Sequence, residues 1–401
     1  MYRTKPMSLD DALDSWGVRG GGRPDVHSAR SGARGLACAL LCSLTCACGG
    51  GSSTGGMTPS PPPTTDSFLA VTNATAASID FFTIDTKTGV PTSVASNPVP
   101  DGPAPAAVAI DPLKRFLYVV STSGELRGYL IVPSTLNLTA VTGSPFSTGD
   151  PSVGIAVDPS GQFVLSANGS ANTVSVFRIG STGALTEVAG SPFAAGSNPS
   201  AIVVAGDQYV YVANTAGSSV SAYGLNTTSG ALTPVAGSPF ATPGLPNGLV
   251  VDPAGTHLYA SESQPNEMSG FSIDATTGAL STIPGSPFGA SYAIRSPVMD
   301  AAGKRLHVAN GTDVDCFAVD VNTATLSEIG TSATNGQSSI ALALDGADNF
   351  LYVLDNLANQ IEVFSIDVSS GALTLINGSP FPLFAGARSQ NLGPNAIAVQ
   401  H

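Results

Sequence analysis

Residues 151–193 read PSVGIAVDPSGQFVLSANGSANTVSVFRIGSTGALTEVAGSPF. Four short runs of β-forming residues alternate there with turn formers. The first run, Pro151 to Val157, ends in the turn Asp158-Pro159-Ser160-Gly161, and the second runs from Phe163 to Asn168. A third run, Thr173 to Ile179, reaches a turn at Thr182-Gly183, and the fourth covers Ala184 to Ala189. Runs of this length, rich in Val, Ile and Phe and bounded by Asp, Pro, Ser and Gly, predict a four-stranded antiparallel meander.

The stretch repeats. Its closing tripeptide Ser-Pro-Phe occurs at Ser144, Ser191, Ser238, Ser286 and Ser379, with spacings of 47, 47, 48 and 93. The last spacing is two periods across a degenerate copy near Ser332, and Asn97-Pro98-Val99 is a variant one period upstream of Ser144. An Asp turn recurs at Asp111, Asp158, Asp207, Asp252, Asp300 and Asp345, and a Gly turn at Gly89, Gly183, Gly230, Gly278 and Gly371. A single four-stranded sheet cannot bury both of its faces, so such units pack face to face in a ring, as a β-propeller. The copy that carries Gly89 starts directly with its second strand, at Ser67 to Asn73, and its missing first strand is supplied by Pro394 to Val399. The expected fold is therefore all-β: a seven-bladed propeller of four-stranded antiparallel blades over residues 67–401, closed by pairing of the N- and C-terminal strands.

Composition agrees with that pattern. The chain has 45 Gly and 30 Pro among 401 residues and only 11% charged residues, which argues against a helical bundle. The formal net charge of −13 gives no electrostatic reason to expect nucleic-acid or anionic-membrane binding. Four of the five Cys (Cys38, Cys42, Cys46, Cys48) crowd near the N-terminus, so neither a zinc cluster nor a disulfide scaffold is expected in the folded part.

Residues 1–47 read as a leader. The apolar run Gly35 to Ala47 follows Arg30 and Arg34 and has the length of a signal-peptide core, too short for a stable transmembrane helix. The 34 residues before it include Asp10, Asp11, Asp14 and Asp25, which leads to the expectation of a later translation start, at Val18 or Val26. Thr45, Cys46 and Ala47 before Cys48 resemble the lipobox of bacterial lipoproteins, and the resemblance implies a lipid anchor on Cys48 at the cell envelope; plain secretion is the alternative. Residues 48–66 are a flexible Gly-, Ser- and Pro-rich tether.

The second-strand columns Arg115-Phe116-Leu117-Tyr118-Val119, Tyr209-Val210-Tyr211-Val212-Ala213-Asn214 and Asn349-Phe350-Leu351-Tyr352-Val353 sit beside the Asp-Pro-x-Gly and Thr-Gly-Ala-Leu turns and the Gly-Ser-Pro-Phe closers. Together they resemble the seven-bladed lactonase family, which includes 6-phosphogluconolactonase-type propellers and YVTN repeat proteins. WD40 repeats fit poorly, because the one Trp is Trp16 in the leader. The resemblance implies a site over the central channel, on the face made by the second-to-third loops and the blade-to-blade crossings, where a carboxylate or imidazole activates water and Arg stabilises the oxyanion.

Few ionisable residues interrupt the repeat on that face. Glu262 stands in the column where other blades have Asn168, Asn214 and Asn310, and Glu267 follows in what reads as a longer loop. Only nine basic residues follow Cys48, and Arg295 and Arg388 fall in long crossings, the first beside Tyr292. Glu262, Arg295 and Arg388 are therefore the candidate catalytic cluster, with Tyr292 and Glu267 as candidate substrate contacts. His257 and His307 occupy aromatic columns, and His401 is terminal. Cys316 reads as a buried strand thiol with no local base partner. The repeated Asp residues are explained by side-chain bonds to turn N–H groups, and the same reading is preferred for Asp313, Asp315 and Asp320 over calcium binding. No metal or cofactor is expected. Two functions follow: hydrolysis of a sugar or other lactone by a monomeric envelope protein, or non-catalytic binding of a carbohydrate, other small ligand or envelope protein through the loop face.

Overall fold

The computed structural model describes residues 67–132, 135–290, 294–334, 338–383 and 394–400. The leader, the tether with Cys48, Tyr292 and Arg388 lie outside these residues. The described residues form seven antiparallel sheets and no helix. Counted from the shared blade, blade 1 holds residues 68–100 with 394–400, and blades 2 to 7 hold 105–147, 152–194, 199–241, 246–289, 295–333 and 339–382.

Blade 3 shows how the sequence makes the unit. Its strands Ser152–Val157, Phe163–Asn168, Thr173–Ile179 and Leu185–Glu187 pair in that order, and the two-residue strand Phe193–Ala194 returns to the start of the third. The outer edge is thus split into a three-residue and a two-residue piece. The Ser-Pro-Phe closer sits at the break, where the Ser191 hydroxyl accepts the Val176 N–H (3.0 Å) that the split leaves without a strand partner. Ser144, Ser238, Ser286 and Ser379 do the same for Gly128, Ala222, Gly270 and Val363, and Asn97 does so for Phe81. An unpaired backbone N–H there would cost on the order of 1–3 kcal/mol, which accounts for the recurring hydroxyl. Blade 6 lacks the closer, and its outer strand Leu326–Ala333 runs unbroken along the third strand, so this sheet has four strands where the other six have five.

Adjacent blades are joined by the second-strand aromatics. Tyr118 of blade 2 donates its hydroxyl to the Gly183 carbonyl of blade 3 (3.0 Å), and Tyr211, Tyr259 and Tyr352 reach Gly278, Ala324 and Gly89 of their next blades. Two residues earlier, the Phe116 and Phe350 rings cover Gly183 and Gly89. A Cβ on either glycine would lie 2.5 Å from the ring, and both have positive φ, so only Gly fits. The apolar core consists of layers between blades. In blade 4, Val210 and Val212 pack towards Phe163 and Leu165 of blade 3, while Tyr211 and Ala213 pack towards Leu258 and Ala260 of blade 5.

The Asp turns hold as expected in five copies. Asp158 accepts the Gln162 and Phe163 N–H groups (2.7 and 2.5 Å), and Asp111, Asp252, Asp300 and Asp345 cap their hairpins similarly. Asp207 is a correction: in blade 4 Ala205 pairs directly with Tyr209, and the shorter connection leaves Asp207 exposed at its tip.

The terminal strands close the ring. Phe68–Asn73 pairs antiparallel with Pro394–Gln400 from Phe68↔Gln400 to Asn73↔Pro394, and Ala396 to Val399 are buried. Losing the ladder bonds and the burial of Ile397 and Val399 removes on the order of 10 kcal/mol, comparable to the whole stability of a typical domain. A chain ending at residue 393 should therefore lose its cooperative thermal transition by circular dichroism; a melting temperature equal to that of the full chain would contradict the closure.

Candidate functional site

In every blade the second strand ends, and the first begins, at the same mouth of the channel. The residue at that end is amide or hydroxyl in five blades (Asn73, Asn168, Asn214, Asn310, Ser121) and acidic in two (Glu262, Asp355), and all seven are buried. Asn168 and Asn214 are bonded through both their oxygen and their NH2 group. Asn168 accepts from Ser152 (2.8 Å) and donates to Thr173 and Ser175 (3.0 and 2.8 Å). Asn214 donates to Ser219 and Ser221 and accepts from the Gly196 N–H. These groups tie the second strand to the third where the sheet opens to the mouth.

Glu262 replaces that amide with a carboxyl. It lies near the end of His257–Ser263, opposite Pro246 on the innermost strand and Glu267 on the third. Its side chain has no solvent exposure. The Ser269 hydroxyl donates to Oε1, whereas Oε2 lies beside the Gly244 backbone without a well-formed hydrogen bond. Burial pushes the carboxyl up to about 6, helped by the neighbouring Glu267 charge and held back by the Ser269 hydroxyl and the Gly244 N–H. A buried carboxyl with one weakly bonded oxygen and a pKa near neutrality has the properties of a general base or acid.

Two neighbours of Glu262 lie elsewhere than their sequence implies. Glu267 is in the strand Asn266–Ile273, not in a loop, because the two-residue turn Gln264-Pro265 lets both strands extend. Arg295 is the first residue of the innermost strand Arg295–Met299 of blade 6, past its crossing, and is half-buried. Asn247 of blade 5 donates to the Ile294 carbonyl (3.1 Å), which docks the start of that strand against the one facing Glu262. Glu262, Glu267 and Arg295 therefore share one mouth on adjacent blades. The charge that acts on Glu262 is that of Glu267. Tyr292 and Arg388 fall outside the described residues.

Other candidates resolve individually. His307 Nδ1 lies 3.1 Å from Cys316 Sγ, which corrects the expectation that this thiol has no base beside it. The two residues are paired across strands, and burial pushes the thiol up to about 12 and the imidazole down to about 4, so both are neutral and unreactive. Asp315 is buried and accepts from Asn310 (2.6 Å), whereas Asp320 caps an exposed turn through the Asn322 and Thr323 N–H groups at the far end of the same strand. They do not converge, and no metal-type cluster occurs among the described residues.

A second ring of polar positions escaped the sequence reading. On the third strand, two residues in from the mouth, three blades carry Ser175, Ser221 and Ser269, and the others carry Asp80, Arg127, Asp315 and Glu362. Aligning third strands as well as second strands would have exposed this column.

A family model described as lactonase, 7-bladed beta-propeller, matches residues 67–191, 185–291 and 298–382. Among solved structures, a putative 6-phosphogluconolactonase from Bacteroides fragilis superposes with a TM-score of 0.73 at 18% identity, covering 85% of this chain and 100% of that one. The counterpart from Bacteroides uniformis gives 0.72 at 18%, covering 83% and 99%. A periplasmic gluconolactonase from Pseudomonas aeruginosa gives 0.67 at 19%, covering 80% and 99%. At these identities the likeness establishes the fold. No curated protein matches the chain.

The shift at Glu262 has a sign that can be checked. Its folded pKa, about 6, exceeds the ordinary carboxyl value of 4.5, so the charged form burdens the folded state above pH 6, and stability recovers as pH falls from 6 to 4.5. Glu262→Gln, a neutral isostere, should raise unfolding free energy by about 2 kcal/mol at pH 7.5. Urea titrations should show that advantage vanishing by pH 4.5; a variant less stable than the wild type at pH 7.5 would contradict the burial argument.

Proposed function

The chain belongs to the seven-bladed β-propeller lactonases, and from that membership we propose that it hydrolyses an unphosphorylated sugar lactone at the cell envelope, with Glu262 as general base. The observation that carries this reading is Glu262 itself: a buried carboxyl with a pKa near 6 and only a poorly aligned contact to the Gly244 N–H on one oxygen, at a position where four blades have an amide. In the proposed reaction Glu262 takes a proton from water as its oxygen attacks the lactone carbonyl. Arg295, joined by Arg388, stabilises the oxyanion. The ring C–O bond then breaks, and the proton held by Glu262 passes to the departing ring oxygen, leaving an open-chain hydroxy acid. Tyr292 and Glu267 are assigned to substrate hydroxyls.

Two features favour an unphosphorylated substrate. Only nine basic residues follow Cys48 against 24 acidic ones, a poor surface for a phosphosugar. The leader and lipobox-like Cys48 also direct the chain out of the cytoplasm, which suits the likeness to a periplasmic gluconolactonase. In that scheme residues 48–66 are the tether and Cys48, at its start, holds the anchor.

Purified protein should hydrolyse aldonolactones faster than the uncatalysed background. Glu262→Gln should lower kcat by about 10²- to 10⁴-fold, the usual range for losing a general base. Arg295→Ala should lower kcat/KM on the same substrates. Turnover that survives both substitutions would remove this site. Absence of turnover on any lactone would replace hydrolysis with ligand binding through the loop face.

A further inference from the structure

Blade 2 breaks the third-strand column differently from every other blade. Where the others carry a hydroxyl or an acid, it carries Arg127, the one cation of the column. The guanidinium is held from two sides: Nη2 is 2.8 Å from Glu125 Oε2, and Nε is 3.7 Å from Asp101 Oδ1. Gly102 passes so close that a Cβ there would lie 2.2 Å from Nε, so the crossing from blade 1 is shaped around this side chain. Glu125 begins the third strand directly after its loop, and the Asp101 N–H donates to Ala77 in the corresponding loop of blade 1, which puts the cluster on the same face as Glu262. It lies three blades away from Glu262 around the ring.

The cluster has spare hydrogen-bonding capacity in a fixed arrangement. The Asp101 side chain is 1% exposed; the Tyr129 hydroxyl donates to Oδ1 (2.5 Å), and Oδ2 makes no hydrogen bond of good geometry beyond the pull of the adjacent Gly102 N–H. A carboxylate oxygen can accept more than one hydrogen bond, so Oδ2 keeps acceptor capacity that a ligand hydroxyl can use. Arg127 and Glu125 keep 24% and 32% of their side-chain surfaces open. Carboxylates that accept from hydroxyls, beside a guanidinium that donates to hydroxyl and ring oxygens, form a polyol-binding set. Two acids flanking one Arg also leave no net positive charge to attract a phosphate or carboxylate.

We infer that Asp101, Glu125, Arg127 and Tyr129 form a second ligand site, between blades 1 and 2, that binds a neutral sugar and rejects anionic ones. The site is independent of hydrolysis at Glu262, so the test uses equilibrium binding to the full-length Glu262→Gln protein, whose success or failure does not depend on turnover. Methyl β-D-glucopyranoside, D-gluconate and D-glucose 6-phosphate are the probes, read by saturation-transfer difference NMR. The glucoside should bind saturably, and both anions should bind at least tenfold more weakly. Adding Arg127→Gln should weaken the glucoside at least tenfold, and Glu125→Gln, a change at a partly open surface position that leaves the fold intact, should weaken it by several-fold. No glucoside binding, binding unchanged by Glu125→Gln and Arg127→Gln in proteins with wild-type melting curves, or equal binding of the anionic sugars would overturn the inference.

Discussion

A blade covers its apolar faces only by having a neighbour on each side, and in an open row the two end blades would each leave one bare. Pairing of Phe68–Asn73 with Pro394–Gln400 removes that defect, because it makes blade 1 from both ends of the chain. The innermost strands then follow one another without a break, and Ser339–Leu344 packs against Pro394–Gln400, which packs against Pro105–Ile110. The staples at the rim repeat the same logic: the Tyr352 hydroxyl on Gly89 carries the contact across the closure just as Tyr118 on Gly183 does within the chain. Closure also positions the mouth, since the end of each second strand is set by its register with the innermost strand.

The mouth residues are buried polar groups, and their chemistry depends on whether they are satisfied. Asn168 and Asn214 meet hydroxyl acceptors on the third strand and serve the fold. Glu262 meets one hydroxyl with one oxygen, has only a poorly aligned Gly244 N–H beside the other and faces a second acid across the ladder. An amide would be more stable there at neutral pH. A residue that weakens the fold where a better one is available by the pattern of its own neighbours is the signature expected of a functional position.

Much of this was legible in the sequence because the repeat is close to periodic. The Ser-Pro-Phe spacing and the Asp and Gly columns located the blades, and the orphan first strand at Pro394 located the closure. Glu262 was visible as a departure from a column of Asn. The misread details are those in which local geometry departs from the average unit. Blade 4 shortens a hairpin at Asp207, blade 5 extends its ladder by one pair to a two-residue turn at Gln264-Pro265, and the degenerate blade 6 begins its innermost strand at Arg295. The Arg127 cluster and the His307–Cys316 contact join residues by cross-strand or cross-blade register, which spacing along the chain does not reveal.

The most direct test of the account is the pH dependence of kcat/KM for aldonolactone hydrolysis, corrected for the uncatalysed rate at each pH. A general base acts only when ionised, so the rate should rise with pH through a single ionisation near 6 and level off above it, and this limb should be absent in Glu262→Gln. A profile without that ionisation, or the same limb persisting in Glu262→Gln, would contradict the assignment of Glu262 as the base.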